Sequence, residues 1–158
     1  MRKNFLIIML VFFICNACND NFTSSIPNVS FSFTIDTRQA RYSSITIAGH
    51  FVTTERIEAG STRQLGYGGL IIGQSLYPDF DNRIVYYAFD RACPVEAAEF
   101  KLEQLELVEG GVGKAVCNGC DTEYDLNNAG APRGVGIEYL KTYSISAIDS
   151  YSFLIQNR

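Results

Sequence analysis

The sequence contains little histidine and little positive charge, and each shortage excludes a class of function. Among its 158 residues there is one histidine, His50, and 13 Lys and Arg stand against 17 Asp and Glu, for a net charge of −4. Because no basic run follows the first three residues, nucleic acid is not expected as a partner. Because His50 has no serine or cysteine nucleophile paired with it, the sequence lacks the relay of a catalytic triad. We therefore expect a protein that is not an enzyme.

Long helical patterns are also missing. No stretch shows a sustained Ala/Glu/Lys/Leu periodicity, whereas aromatic residues make up 13% of the chain and β-branched residues are frequent. Alternating apolar and polar residues predict strands over 29–35 and between Ile45 and Phe51. Further strands are predicted over 70–73, 84–89, 114–116, 142–148 and 151–155, with a loop or hairpin over 53–65 and a turn over 127–132. Residues 102–107 are either a helix, which their composition allows, or a hairpin arm, which the glycines after them favour at least as much. The pattern predicts one all-β domain.

The apolar run at the N-terminus is too short for a transmembrane helix. Residues 5–14 come shortly after Arg2 and Lys3 and contain no polar residue, but a hydrocarbon core of about 30 Å needs a longer helix. The pattern is typical of a secretory signal peptide. The residues after it, Cys-Asn-Ala-Cys ending at Cys18, resemble the bacterial lipobox, in which a small residue precedes the cysteine that is acylated.

These features predict a lipoprotein of the cell envelope. Residues 1–17 are its signal peptide, Cys18 is the lipidation site that binds membrane lipid, 18–26 form a polar tether and 27–158 form the domain. Each buried methylene of an acyl chain contributes ~0.8 kcal/mol, so two or three chains make a durable anchor. Two alternatives stay open, namely a cleaved signal before an ordinary cysteine, and an uncleaved membrane anchor.

Three cysteines lie in the predicted domain. Cys93 ends a predicted strand, and Cys117 and Cys120 form a Cys-x-x-Cys pair after another. An odd number of cysteines in an oxidising compartment cannot be fully paired within one chain. If the two loop tips meet, they form a metal or cluster site, or a disulfide, or a site of one kind that was replaced by the other during evolution.

Two boxes around these cysteines resemble the cluster-binding boxes of the Rieske iron–sulfur family. The first box is at 93–96, preceded by Ala-Phe-Asp-Arg-Ala, and the second is at 117–125, ending in Tyr-Asp. The Gly-Ala-Pro-Arg-Gly stretch at 130–134 and the Leu-x-x-Tyr stretch at 140–143 are similar to the segment behind the family's second box.

The resemblance covers about residues 66–157. Residues 27–65 look like the extra N-terminal strands of lipoprotein versions of this domain in Bacteroides-like bacteria. The resemblance as a whole implies a Rieske-like antiparallel β-sandwich or barrel with extra N-terminal strands.

The boxes depart from the family pattern at the ligands. The family uses Cys-x-His and Cys-x-x-His, so the resemblance implies Cys93 and Cys117 as ligands and histidines where Val95 and Cys120 stand. Val95 cannot ligate a metal, and His50 lies outside both boxes. A Rieske cluster with its usual two histidines is therefore excluded by composition.

Three interpretations of the degenerate boxes remain. The favoured one is a domain without a cofactor, in which Cys93 forms a disulfide worth ~3 kcal/mol with Cys117 or Cys120, or all three are small buried side chains. The second is an electron-transfer protein with an atypical 2Fe-2S cluster on the three cysteines and a fourth ligand such as Glu96. The third is a single metal, for instance zinc, on three thiolates. The favoured function is a non-catalytic interaction or structural module that meets an unknown envelope protein.

Overall fold

The computed structural model describes residues 24–158. The predicted signal peptide, the predicted lipidation site Cys18 and most of the predicted tether lie outside this part of the chain. Among the residues it describes, no helix has both the length and the apolar character that crossing a bilayer requires.

The described part of the chain is all-β, as predicted. In chain order the strands are β1 (Phe31–Asp36), β2 (Phe51–Thr53), β3 (Leu70–Gln74), β4 (Tyr86–Asp90), β5 (Glu106–Leu107), β6 (Lys114–Val116), β7 (Glu123–Asp125), β8 (Ala131–Arg133), β9 (Ser144–Ala147) and β10 (Ser152–Asn157). They form three antiparallel sheets with the orders β1-β10-β9, β2-β3-β4 and β5-β6-β7-β8. The helical elements are 3-10 turns at Ser43–Thr46 and Leu126–Asn128 and one short α-helix, α1 (Pro94–Ala98).

The β2-β3-β4 sheet lies between two apolar cores. Leu70 and Ile72 of β3 point into a core shared with β1 and β10, while Ile71 points into a second core shared with β6 and β7. All three side chains are fully buried. Burial on both faces explains why β3 is an unbroken apolar run rather than an alternating one. The second core contains Cys93 and Cys117.

One predicted strand is wrong. The stretch from Ile45 to Phe51 begins in a 3-10 turn at Ser43–Thr46. Before Phe51 it pairs with β3 only through an isolated bridge between Ala48 and Gln74, and the antiparallel ladder begins at Phe51. Ile45 is buried from the turn, whereas Ile47 is exposed. Gly49 has a φ of +78°, which ends any extended run at that position.

The turn predicted over 127–132 is shorter than expected. Ala129 and Gly130 have φ values of +52° and +73°, and β8 begins at the next residue. Pro132 is tolerated there because β8 is an edge strand, where a missing N–H leaves no ladder bond unmade. Of the two alternatives for residues 102–107, the structure has the hairpin arm, whose paired part is the short strand β5 against β6.

The described end of the predicted tether packs against the domain. Ile26 is only 2% exposed and forms a small apolar cluster with Ala92 and Ala97. A single isoleucine among polar residues carries no periodic signal, so this contact could not be predicted from the sequence.

Hydrogen bonds fix the same segment. The Ser24 hydroxyl and the Ser25 N–H both donate to Oε1 of Glu138, at 2.8 and 2.9 Å. The Lys141 ammonium donates to three oxygens of residues 26–28, at 2.6 to 3.1 Å. The path by which the chain reaches β1 is therefore set by side chains that lie far along the sequence.

Strand β4 separates two ends of the molecule. Residues 75–85 connect β3 to β4, and residues 91–93 follow β4, so these segments lie at opposite ends of the sheet. The Arg91 N–H donates to the Gly69 carbonyl, which places the start of β3 beside the first cysteine box. We call residues 91–93 and 117–122 the cysteine end and residues 75–85 the hairpin end.

Candidate metal centre

Cys93 is placed by the junction of β4 with α1. It is the residue before the helix, and Pro94 occupies the first helical position, where a missing N–H costs nothing. The Cys93 N–H donates to the Glu103 carbonyl at 2.8 Å, and its own carbonyl accepts the Ala97 N–H at 2.9 Å. The side chain is fully buried. Backbone contacts on both sides thus fix the direction of the thiol.

Cys117 and Cys120 are placed by a tight turn between β6 and β7. The Asp121 N–H donates to the Cys117 carbonyl at 2.9 Å, and the Cys117 N–H donates to the Thr122 carbonyl at 3.0 Å. Asp121 has a φ of +57°, a left-handed conformation that Asp tolerates better than most residues. The turn buries Cys117 fully and leaves Cys120 partly exposed.

The three sulfur atoms converge. All lie within 4.8 Å of one another, and the Sγ atoms of Cys93 and Cys120 are 3.6 Å apart. Tetrahedral zinc with Zn–S bonds of about 2.3 Å holds its sulfurs about 3.8 Å apart. In residues 24–158 this is the one group of at least three Cys, His, Asp or Glu side chains with that convergence.

Two of the thiols differ in acidity. Burial, and next the neighbouring Cys93 thiol, raise the pKa of Cys117 to about 12, although the backbone N–H groups of Gly119 and Cys120 act in the opposite direction. Burial alone would also raise the pKa of Cys120. The Thr122 hydroxyl, the Thr122 backbone N–H and the two other thiols outweigh it, so the pKa of Cys120 is lowered. Cys120 is thus the accessible and more easily ionised thiol.

Two side chains that the sequence did not single out support the sulfurs. Oγ1 of the buried Thr122 accepts the Cys120 thiol hydrogen at 3.2 Å and the Gly136 N–H at 3.2 Å. When Cys120 is ionised, the hydroxyl hydrogen of Thr122 points at the sulfur instead and stabilises the thiolate. The hydroxyl of Tyr124 lies 3.8 Å from the Cys93 sulfur, and burial raises the pKa of that phenol. The sequence offered Tyr124 only as a packing residue of the second box.

Asp90 is a third side chain that supports the site and that the sequence analysis did not single out. It is fully buried at the end of β4, and its carboxylate accepts the N–H groups of Tyr67, Gly68 and Ala92 and the hydroxyl of Tyr143, at 2.5 to 2.9 Å. These bonds hold the turn before β3 against the residues that lead into the first box. The one feature of the sequence that could have pointed to Asp90 is its position as an acidic residue at the end of an apolar strand.

The other predicted site residues do not join the sulfurs. Val95 packs in the second core beside Gly136, where no ligand is needed. Glu96, the predicted fourth ligand, lies over Gly119 and 3.6 Å from the Lys101 ammonium, outside the sulfur group.

His50 is exposed, as expected. It lies next to Gln74, away from the cysteines, because the Gln74 N–H donates to its carbonyl.

Comparison of the chain with protein-family models, with curated proteins and with solved structures finds no match. The all-β fold follows from the strands described above, whereas the resemblance to the Rieske family stays a prediction from the residue pattern.

Proposed function

We propose that the protein is a cell-envelope lipoprotein, anchored through an acylated Cys18, whose domain binds one thiophilic metal ion without catalysing a reaction. The ligands are Cys93, Cys117 and Cys120. The observation that carries the proposal is the convergence of their sulfur atoms within 4.8 Å of one another. In this proposal the domain is a Rieske-like fold that has lost its two-iron cluster and keeps a simpler site.

The placement of the sulfurs supports one ion rather than two irons. In a Rieske centre two thiolates bind one iron and two imidazoles bind the other. By the resemblance, Cys120 would take the second iron and Cys93 the first. Yet their sulfurs are 3.6 Å apart, and all three face one point. Val95 supplies no donor at the remaining position.

The surroundings of the sulfurs support a metal rather than a disulfide. Backbone N–H groups of the Cys117–Cys120 turn lie near the Cys117 sulfur, and the Thr122 N–H and hydroxyl lie near the Cys120 sulfur. These dipoles stabilise negative charge, which thiolate ligands carry and disulfide sulfurs do not. A disulfide would also leave one of the three thiols over.

The donor set selects soft ions. Thiolates favour Zn²⁺ and Cu⁺ over hard cations such as Mg²⁺ and Ca²⁺. Because Cys120 is the partly exposed ligand, the ion enters and leaves on its side, and the fourth position of a Zn²⁺ ion is left for water. Binding releases thiol protons, so the affinity rises with pH.

A cobalt titration tests the metal site. Full-length protein is prepared without oxygen, and Co²⁺ binding is followed by thiolate-to-cobalt charge-transfer absorption, with metal and sulfide analysis of the protein as isolated. We expect one Co²⁺ per chain and a large loss of affinity in Cys120→Ser. His50→Ala is the matched control, because it removes the only imidazole and should leave binding unchanged.

Two results would replace the metal proposal. Two irons and two sulfides per chain would establish the electron-transfer alternative. A metal-free protein with a mass two hydrogens below the reduced form would establish a domain with a disulfide. The anchor is tested separately, by mass spectrometry of the N-terminal peptide for acyl chains on Cys18.

A further inference from the structure

Residues 135–139, here called the apolar loop, expose three apolar side chains in a row. Val135 is 75% exposed, Ile137 is 92% exposed and Tyr139 is 52% exposed. They alternate with Gly136, which is buried, and Glu138, which is half-buried. The segment therefore turns its three apolar side chains to the outside and the residues between them toward the domain.

The inward residues hold the apolar loop in place. The Gly136 N–H donates to Thr122 beside the sulfurs, and the Leu140 N–H donates to the Gly130 carbonyl at 3.0 Å. Between them, Glu138 accepts two hydrogen bonds from the N-terminal segment. The three side chains are thus exposed on a segment that hydrogen bonds hold in place at the cysteine end.

The same contacts bring the apolar loop close to the predicted anchor. Ser24 donates to Glu138, and Cys18 precedes Ser24 by six residues. Six extended residues span at most about 20 Å. Acyl chains on Cys18 would therefore keep Ser24, and the Glu138 carboxylate bonded to it, within about 20 Å of the bilayer surface, whatever path the intervening residues take.

We infer that the apolar loop inserts into the interfacial layer of the bilayer that carries the anchor. The inference rests on the proposed acylation of Cys18. Two aliphatic side chains and a tyrosine suit that layer, because aliphatic groups bury among the acyl chains while the phenol stays at the headgroups. The domain then stands with its cysteine end toward the membrane and the hairpin end away from it.

The hairpin end provides the control. Phe80 is fully exposed at its tip, so it is a second apolar side chain that is open to solvent. It lies at the opposite end of β4 from Cys93. An anchored domain with the proposed orientation keeps Phe80 in water.

Tryptophan depth measurement tests the inference, because the protein has no tryptophan of its own. Ile137→Trp and Phe80→Trp are made in the full chain, produced in a bacterium that processes lipoproteins, and reconstituted into phosphatidylcholine vesicles brominated on the acyl chains. We expect blue-shifted emission and severalfold stronger bromine quenching in Ile137→Trp, and no quenching in Phe80→Trp.

The outcomes separate the inference from the anchor. If the protein floats with the vesicles but neither variant is quenched, the inference is overturned, and the apolar loop is assigned to a protein partner while the anchor stands. Equal quenching of both variants also overturns it, since the domain then has no preferred orientation. A protein that does not float and carries no acyl chain overturns the anchor, and the inference with it.

Discussion

The two ends of the middle sheet are held together in different ways. At the cysteine end, the buried side chains Asp90 and Thr122 accept backbone N–H groups from segments that are distant in sequence. At the hairpin end, Arg83 pairs with Asp79 and Asp81 on an exposed surface, and Phe80 packs on nothing in the described chain.

The cysteine end is thus held by buried hydrogen bonds, whereas the hairpin end is held by exposed ion pairs. Among residues 24–158, no buried side-chain nitrogen or oxygen lacks a partner, so the polar groups of the cysteine end are bonded despite their burial. Exposed ion pairs such as those of Arg83 contribute only about 0–1 kcal/mol. Substitutions at the cysteine end should therefore lower the free energy of unfolding strongly, and substitutions at the hairpin end should change it little.

Removal of the Asp90 carboxylate should have the largest effect. Asp90→Ala leaves two buried N–H groups and one half-buried N–H group without an acceptor and is expected to lower the free energy of unfolding by about 3 kcal/mol or more. Urea unfolding measures it. Asp81→Ala, which loses one exposed ion pair at the hairpin end, should change stability by less than about 1 kcal/mol. Equal costs would remove the distinction between the two ends.

High pH should destabilise the metal-free protein. A thiol in the unfolded chain ionises near pH 9, whereas the pKa of folded Cys117 is raised to about 12, so folding holds a proton that the unfolded chain has lost. This stabilisation is complete below about pH 9 and is lost as the pH rises toward 12, at a cost of about a few kcal/mol.

Denaturant unfolding across that pH range measures the loss. Cys117→Ala should show a shallower decline between about pH 9 and 10, below the usual ionisation of tyrosine. An identical decline in the variant would show that Cys117 does not hold the proton.

Substitution of Thr122 should have a smaller effect, which is on the reactivity of the Cys120 thiol. Thr122→Val removes the hydroxyl that lies 3.2 Å from the Cys120 sulfur, so the pKa of Cys120 should rise. Alkylation of the metal-free protein by iodoacetamide at neutral pH should then slow severalfold, because the thiolate is the reactive form. Thr122→Ser keeps the hydroxyl and should restore the rate. If Thr122→Ser is as slow as Thr122→Val, the methyl group rather than the hydroxyl is responsible.

The smallest effect is expected at the tip of the hairpin end. Phe80→Ser exposes nothing new and removes no described contact, so the melting temperature should stay within about 2 °C of the parent value. Differential scanning calorimetry measures this. A large destabilisation would mean that the tip is part of a core in solution.

The strands could be predicted where the apolar pattern reports burial directly. Strand β3 was found because both of its faces are covered, and β1 because its residues alternate between the core and the surface. The error between Ile45 and Phe51 arose because a 3-10 turn also buries one isoleucine while the next is exposed. Spacing over a few residues does not distinguish the two.

The candidate site could be predicted only in part. Cys93, Cys117 and Cys120 were grouped as candidate site residues because each lies at a predicted loop tip, and the structure brings their sulfurs together. The roles of Thr122 and Asp90 depend on partners such as Gly136 and Tyr143, which no local pattern links to them. Glu96 was chosen for its proximity in sequence, but Lys101 and the Gly119 turn hold it elsewhere.

The clamp on the N-terminal segment determines how the domain responds to force. A pull through the N-terminus loads the bonds of Ser24 to Glu138 and of Lys141 to residues 26–28 before it reaches β1. Their rupture releases residues 24–28, while the bond from the Asn157 side chain to the Val29 carbonyl and the β1–β10 ladder stay intact. When force is applied to the N-terminus, these contacts are therefore expected to break before the sheets that position the cysteines unfold.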